Sequence, residues 1–149
     1  MDFINIVKNS KNKWVISKLD LCMPIFSYVK RGGLFYKGDI ILSKISGETL
    51  DKTLIKRLKL NIEEEMGLCF RFLFDNGIYN FDMNLGNIIY NPVSDKLSFI
   101  DFDKVTIDPR KINYQNYSLR VVNKFRDSLK KYDLFAKFDW DKFVRSVYG

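Results

Sequence analysis

The chain has 149 residues, the length of one ordinary domain, and its 46% hydrophobic and 15% aromatic content can supply a real core, which excludes an intrinsically disordered chain. It contains no histidine, so Ser-His-Asp and Cys-His nucleophiles and His-ligated zinc or iron are excluded, and acid–base chemistry falls to carboxylates, lysines or tyrosines. The net charge of +7 is unevenly placed: residues 104–149 hold 11 Lys and Arg against 5 Asp, while the preceding 103 residues are close to neutral.

A basic C-terminal surplus suits an anionic partner such as phospholipid headgroups, a phosphorylated glycolipid or nucleic acid, and it equally serves solubility alone. No apolar run reaches the roughly 18 to 20 residues needed to cross a bilayer, and the start, Met1-Asp2-Phe3-Ile4, lacks the pattern of a secretion signal. A cytoplasmic location is expected. Cys22 and Cys69 stand far apart in apolar company, in neither a CxxC nor a metal-ligand spacing, and read as reduced core residues.

In chain order, Trp14, Val15, Ile16 and Leu19 fit one face of a short helix, ended by Leu21 to Pro24 because proline disfavours helix in the residue before it. Ile25 to Val29 and Leu34 to Leu42 are β-branched and aromatic runs separated by Lys30-Arg31-Gly32-Gly33, a hairpin signal. Thr49 to Asn76 is helical in character: Leu50, Leu54 and Leu58 recur every four residues, Glu63-Glu64-Glu65 place acids in a first turn, and Asn76-Gly77 reads as a C-terminal cap. Asn80 to Asn87 reads as a loop, followed by strands at Ile88 to Tyr90 and Leu97 to Ile100 with a turn at 91–96. Leu119 to Tyr132 is expected to be a helix with Leu119, Val122, Phe125 and Leu129 on one face, and Trp140, Phe143, Val144 and Val147 suggest a last short helix. There is no repeat, low-complexity tract or linker.

The chemistry resides in a spacing. Asp82-Met83-Asn84-Leu85-Gly86-Asn87 puts an aspartate five residues ahead of an asparagine on a loop after a helix, and a hairpin then delivers Asp101-Phe102-Asp103 off a strand. Phosphoryl transfer needs a carboxylate to orient the acceptor hydroxyl and take its proton, and hard oxygen ligands for magnesium across the phosphates. Asp82 suits the first role, and Asn87 and Asp101 the second. Each element alone is common by chance, but their joint order within about 25 residues matches that of kinases.

The run Gly77 to Ile89, followed by Phe99-Ile100-Asp101-Phe102-Asp103-Lys104, resembles the bacterial lipopolysaccharide core kinases, most closely the 3-deoxy-D-manno-octulosonic acid (Kdo) kinases. Arg31-Gly32-Gly33-Leu34-Phe35-Tyr36 with Asp39-Ile40-Ile41 resembles the family's strand pair before the hinge, and Arg126-Asp127-Ser128-Leu129-Lys130 resembles its Arg-Ser-Leu-type helix motif. The resemblance covers residues 12–135. It implies an α+β, protein-kinase-like fold: a single domain in which 1–45 is a partial N-lobe of antiparallel strands plus the hinge, and 46–149 is a mainly helical C-lobe. It further implies Asp82 as catalytic base, Asn87 and Asp101 as magnesium ligands with Asp103 a second acid near the metal, and contacts to the adenine of ATP from Ser43, Lys44 and Ile45. The implied reaction is ATP- and Mg2+-dependent phosphorylation of a Kdo hydroxyl on the lipid A precursor at the cytoplasmic face of the inner membrane.

Two departures accompany it. Asn80 stands where the family often has histidine, and no glycine-rich loop or strand lysine precedes the hairpin; Lys18 in Val15-Ile16-Ser17-Lys18 leaves only six residues before the strand at Ile25, too few for the helix that should intervene. Residues 12–22 then read as a remnant of that helix, and the chain as a fragment or a member with a reduced lobe. The alternatives are another small-molecule phosphotransferase, such as the aminoglycoside type, and a non-catalytic kinase-like remnant. A nucleic-acid binder lacks any fold signature.

Overall fold

The structure, a computed structural model, describes residues 19–20, 24–32, 35–42, 44–56 and 60–149, with side chains for 44–56 and 60–149. The expected positions Trp14 to Lys18, Cys22, Gly33, Leu34, Ser43 and Leu58 lie outside the described residues. The elements in order are β1 (Leu19–Asp20), β2 (Pro24–Gly32), β3 (Phe35–Leu42), β4 (Glu48–Thr49), α1 (Leu50–Lys56), α2 (Glu63–Asp75), β5 (Ile78–Asn80), β6 (Ile88–Asn91), β7 (Lys96–Phe99), β8 (Val105–Ile107), α3 (Tyr114–Lys131) and α4 (Trp140–Tyr148). Short 3-10 turns lie at Leu85–Asn87 and Phe135–Lys137. The architecture is mixed, with four described helices and three small sheets, consistent with the α+β expectation.

β2 and β3 form the expected antiparallel hairpin, and the ladder runs on through Lys30, Arg31 and Gly32, which pairs with Phe35, so these residues belong to the strand and not to the gap between strands. A second sheet has the order β1-β7-β6-β4. Its centre is the β6–β7 hairpin, paired from Ile88 with Phe99 to Asn91 with Lys96. The connecting turn is held by Asn91, whose side-chain oxygen accepts from the backbone N–H of Val93 at 2.9 Å, a local bond that asparagine favours in turns. β1 joins parallel to β7, Leu19 opposite Leu97. This corrects the helical expectation at Leu19: a free strand edge on β7 offers backbone partners that a weak local apolar pattern does not outweigh.

The Thr49 to Asn76 stretch divides into α1 and α2, with Thr49 itself in β4 opposite Ile89. α2 begins on the three glutamates and ends at Asn76, with Gly77 at φ +68 as the sequence anticipates. α3 starts at Tyr114, five residues before the expected Leu119, and Leu119 is 55% exposed. The inward stripe is Ser118, Val121, Val122, Phe125, Ser128 and Leu129. Two serines face the core, so a reading of apolar residues alone rotates the face toward Leu119.

Phe70 of α2 sits at the centre of the core, edge-on to Phe74, Phe99, Phe125 and Phe143, with ring centroids 5.2 to 6.1 Å away. It thus joins α2, β7, α3 and α4. α4 lies close on α2 because Gly67 has no side chain: a Cβ there would stand 2.7 Å from the Phe143 carbonyl oxygen. Truncating Phe70 to alanine is expected to cost about 3–5 kcal/mol, read as a lower urea midpoint. Gly67→Leu should destabilise by at least about 1–3 kcal/mol in the same measurement, since the obstructing atoms are the Ser146 Cβ and the Phe143 carbonyl, both fixed by the α4 backbone.

Candidate active site

Two ladders bring the loop after β5 against the turn after β7. β5 pairs antiparallel with β8, Asn80 opposite Val105, and the Phe81 N–H extends the ladder to the Lys104 carbonyl at 3.2 Å. On the other side the β6–β7 hairpin returns the chain, and Ile100 N–H donates to the Asn87 carbonyl at 2.9 Å. Residues 82–87 and 101–104 are thereby held between two sets of backbone bonds.

Asn80 locks the two segments together. It belongs to β5 rather than to the loop and is only 1% exposed. Its Nδ2 donates to the Asp101 carbonyl at 3.0 Å, and its Oδ1 accepts from the Asp82 N–H at 3.0 Å. A side-chain amide suits this position because it is donor and acceptor at once.

The loop interior is organised by amides. Asn84 and Asn87 both donate to the Asp82 carbonyl, at 2.8 and 3.0 Å, and the Asn84 side-chain oxygen accepts from the Gly86 N–H at 2.9 Å. With its Nδ2 so engaged, Asn87 has Oδ1 as its remaining side-chain acceptor. From α3, the buried Ser128 hydroxyl accepts from the Leu85 N–H at 3.0 Å. The Arg126 to Lys130 motif thus contains the residue that anchors the loop to the core.

The carboxylates sit in opposite environments. Burial works to raise the Asp82 pKa, but hydrogen bonds and charges from Lys104 and Lys124 outweigh it, so the group titrates below the ordinary carboxylate value. The lysine Nζ atoms lie 3.3 Å from Asp82 Oδ2 and Oδ1 respectively. Asp101 is pushed the other way, first by its side-chain hydrogen bond with Asp103, then by burial and by the Asp103 charge. Its backbone is in the left-handed region, φ +60, which aspartate tolerates better than most residues. Tyr79, two residues before Phe81, is removed as a base: burial, then the Asp108 charge, push its hydroxyl up to about 12.

Among the described residues no group of three or more His, Cys, Asp or Glu side chains could hold a metal. The Asp101 and Asp103 carboxyls with the Asn87 amide oxygen nonetheless fit magnesium, which binds through one or two carboxylates and completes its shell with water and substrate phosphates. The raised Asp101 pKa reflects first its hydrogen bond with the Asp103 side chain, then burial and the Asp103 charge, and a cation bound at this carboxyl pair would relieve that repulsion. Lys44 is exposed and Ile45 half-buried, preceding Gly47, whose backbone lies against that of Tyr90. No hydrogen bond or ion pair among the described residues joins them to the Asp82 cluster.

The sequence spacing points to Asp82, Asn87, Asp101 and Asp103, whereas Lys104, Lys124 and Ser128 enter only with the fold. A signal was present for two of them: Arg120, Lys124 and Ser128 are spaced four apart and share a helix face.

No protein-family model matches the chain. Two curated proteins named 3-deoxy-D-manno-octulosonic acid kinase, from Vibrio vulnificus strains YJ016 and CMCP6, are similar to it, with 30% and 29% identity over 83 residues. The match covers 54% of this chain and 35% of each relative, so it spans only about a third of their length. This weak, partial similarity supports a kinase-like relationship.

Asn80→Ala removes both bonds made by this 1%-exposed side chain, from the Asp82 N–H and to the Asp101 carbonyl, and is expected to lower stability by about 1–3 kcal/mol in urea denaturation. Because the folded-state pKa of Asp82 is depressed, its ion cluster contributes stability that is present above the unfolded value and lost as pH falls through the folded one. Wild type should therefore lose urea midpoint more steeply than Asp82→Asn as pH is lowered below the ordinary aspartate value of 3.8.

Proposed function

We propose that this chain forms the catalytic part of a kinase-type phosphotransferase that moves the γ-phosphoryl group of ATP to a sugar hydroxyl, the acceptor being Kdo on a lipid A precursor. The observation that carries the reading is the Asn80 side chain bonded to both Asp82 and Asp101, which fixes a lone ionised carboxylate beside a paired-carboxylate turn. The name of the two relatives supports Kdo as acceptor. In this reading the chain is one kinase-like domain, 1–45 contributing strands and hinge and 46–149 the larger lobe, with adenine meeting the backbone around Ser43, Lys44 and Ile45.

Asp82 accepts a hydrogen bond from the acceptor hydroxyl and aims it at the γ-phosphorus. As the new O–P bond forms, the bond from phosphorus to the β–γ bridging oxygen breaks and ADP departs. The two lysines keep Asp82 ionised but weakly basic, so it receives the hydroxyl proton late, once bonding to phosphorus has acidified it. Asn87 and Asp101, with Asp103 beside them, would hold Mg2+, which when bound neutralises charge on the β- and γ-phosphates. Among the described residues no helix is long and apolar enough to cross a membrane. The basic surplus of residues 104–149 suits peripheral contact with an anionic cytoplasmic leaflet, where such an acceptor is embedded.

The test is transfer of labelled phosphate from ATP to Kdo-lipid A precursor. Transfer should require Mg2+ and fall by about 100-fold or more in Asp82→Ala and in Asp101→Ala. Undiminished transfer by both variants, or none to any core sugar by wild type, would overturn the reading; phosphorylation of aminoglycosides in place of Kdo would move it to another small-molecule phosphotransferase.

A further inference from the structure

A groove of about 510 Å3 opens on the outer face of α3, lined by Phe81, Asn116, Arg120, Asn123, Lys124 and Asp127 among others. Its volume falls in the range of small-molecule sites. It lies beside Asp82: Phe81 is the preceding residue, and Lys124 on the groove wall reaches Asp82 Oδ1 at 3.3 Å. Lys124 and Asp127 also line a second hollow of about 250 Å3, with Asn84, Ser128, Lys131 and Tyr132, so Lys124 stands between the two.

The charges on this wall are not equivalent. Lys124 is already paired with Asp82, and Asp127 contributes a negative charge. Arg120 has no carboxylate partner among the described residues. It is nevertheless held in place, its guanidinium carbon 4.2 Å above the centroid of the Phe81 ring, which packs edge-on against Tyr117 at 5.3 Å. Arg120 and Lys124 are four apart on one helix, so with Lys124 held by Asp82 it is Arg120 that presents a cation to the groove. A guanidinium stacked on a ring keeps its N–H edges for in-plane acceptors, and its fork matches a carboxylate or phosphate. The polar amides of Asn116 and Asn123 supply the donors and acceptors that sugar hydroxyls need.

We infer that this groove is the acceptor subsite, and that Arg120 selects an acceptor whose sugar carries a carboxylate or phosphate group in addition to the reacting hydroxyl. The inference rests on the phosphotransfer reading for what happens at Asp82, but the binding preference does not require turnover. Leu119, out of place as a core residue, then forms an apolar edge of the same groove.

The test is titration of the 15N-labelled protein with glucuronate, glucose 6-phosphate and glucose, following the side-chain amides of Asn116 and Asn123. At least one acidic sugar should bind roughly tenfold more tightly than glucose, and comparing the two separates carboxylate from phosphate recognition. Arg120→Gln should abolish that preference and Arg120→Lys should restore part of it, while the spectrum away from α3 stays that of the folded protein. Equal binding of glucose and both acids, or a preference unchanged in Arg120→Gln, would overturn the inference. A chain that transfers phosphate with a charge-blind groove refutes the subsite alone; a chain that transfers nothing yet prefers acids through Arg120 refutes only the reaction.

Discussion

One buried amide sets the geometry on which the candidate site depends. Asn80 is held in β5 by its ladder to β8, and its side chain bridges the Asp82 N–H and the Asp101 carbonyl, two groups that lie 19 residues apart in sequence. Neither the loop nor the turn has enough regular structure to hold its own shape. Their order comes from the ladders on either side, from Asn80 between them, and from Ser128 reaching in from α3. Behind these stands the Phe70 cluster, which fixes α3 relative to β7 and so fixes the distance from Ser128 to the loop. Positional accuracy in the site is thus inherited from the aromatic core through a small number of hydrogen bonds.

The same framework separates two aspartates electrostatically. Asp82 faces two ammonium groups and is pulled toward the charged form, while Asp101 faces another carboxyl and is pushed toward the neutral one. Both shifts are products of neighbours more than of depth, and both depend on which side of the Asn80 bridge the residue occupies. A lone anion flanked by cations suits a role in orientation, and a repelling pair suits a bound cation. Two chemically identical side chains come to differ in behaviour because the backbone delivers them to different company.

Much of this was legible in the sequence because it is local. The acids of α2, the Asn76-Gly77 cap, the hairpin before Asp101 and the spacing from Asp82 to Asn87 each rest on residues within one element or turn. What escaped was tertiary. Leu19 joins a parallel ladder with Leu97, 78 residues on, for which no short-range pattern exists. The face of α3 was misread because Ser118 and Ser128 are buried polar residues, one of them satisfied by a loop far away in sequence. Asn80 looked like a departure from a histidine pattern, whereas an amide supplies a donor and an acceptor of its own in a pocket that needs both. Lys104 and Lys124 were unremarkable among 25 basic residues until the fold put them on one carboxylate.

The left-handed backbone at Asp101 restricts what can replace it over evolutionary time. Most side chains would cost about 1 kcal/mol or more at φ +60, whereas glycine and asparagine enter with little penalty. Asparagine lies one nucleotide from aspartate in the genetic code, keeps an oxygen in place and removes only the charge. On the proposed reading, the easiest loss of charge at this position is therefore also the one the fold resists least. A lineage could pass through it with its architecture intact, and the shape of the turn would outlast its charge.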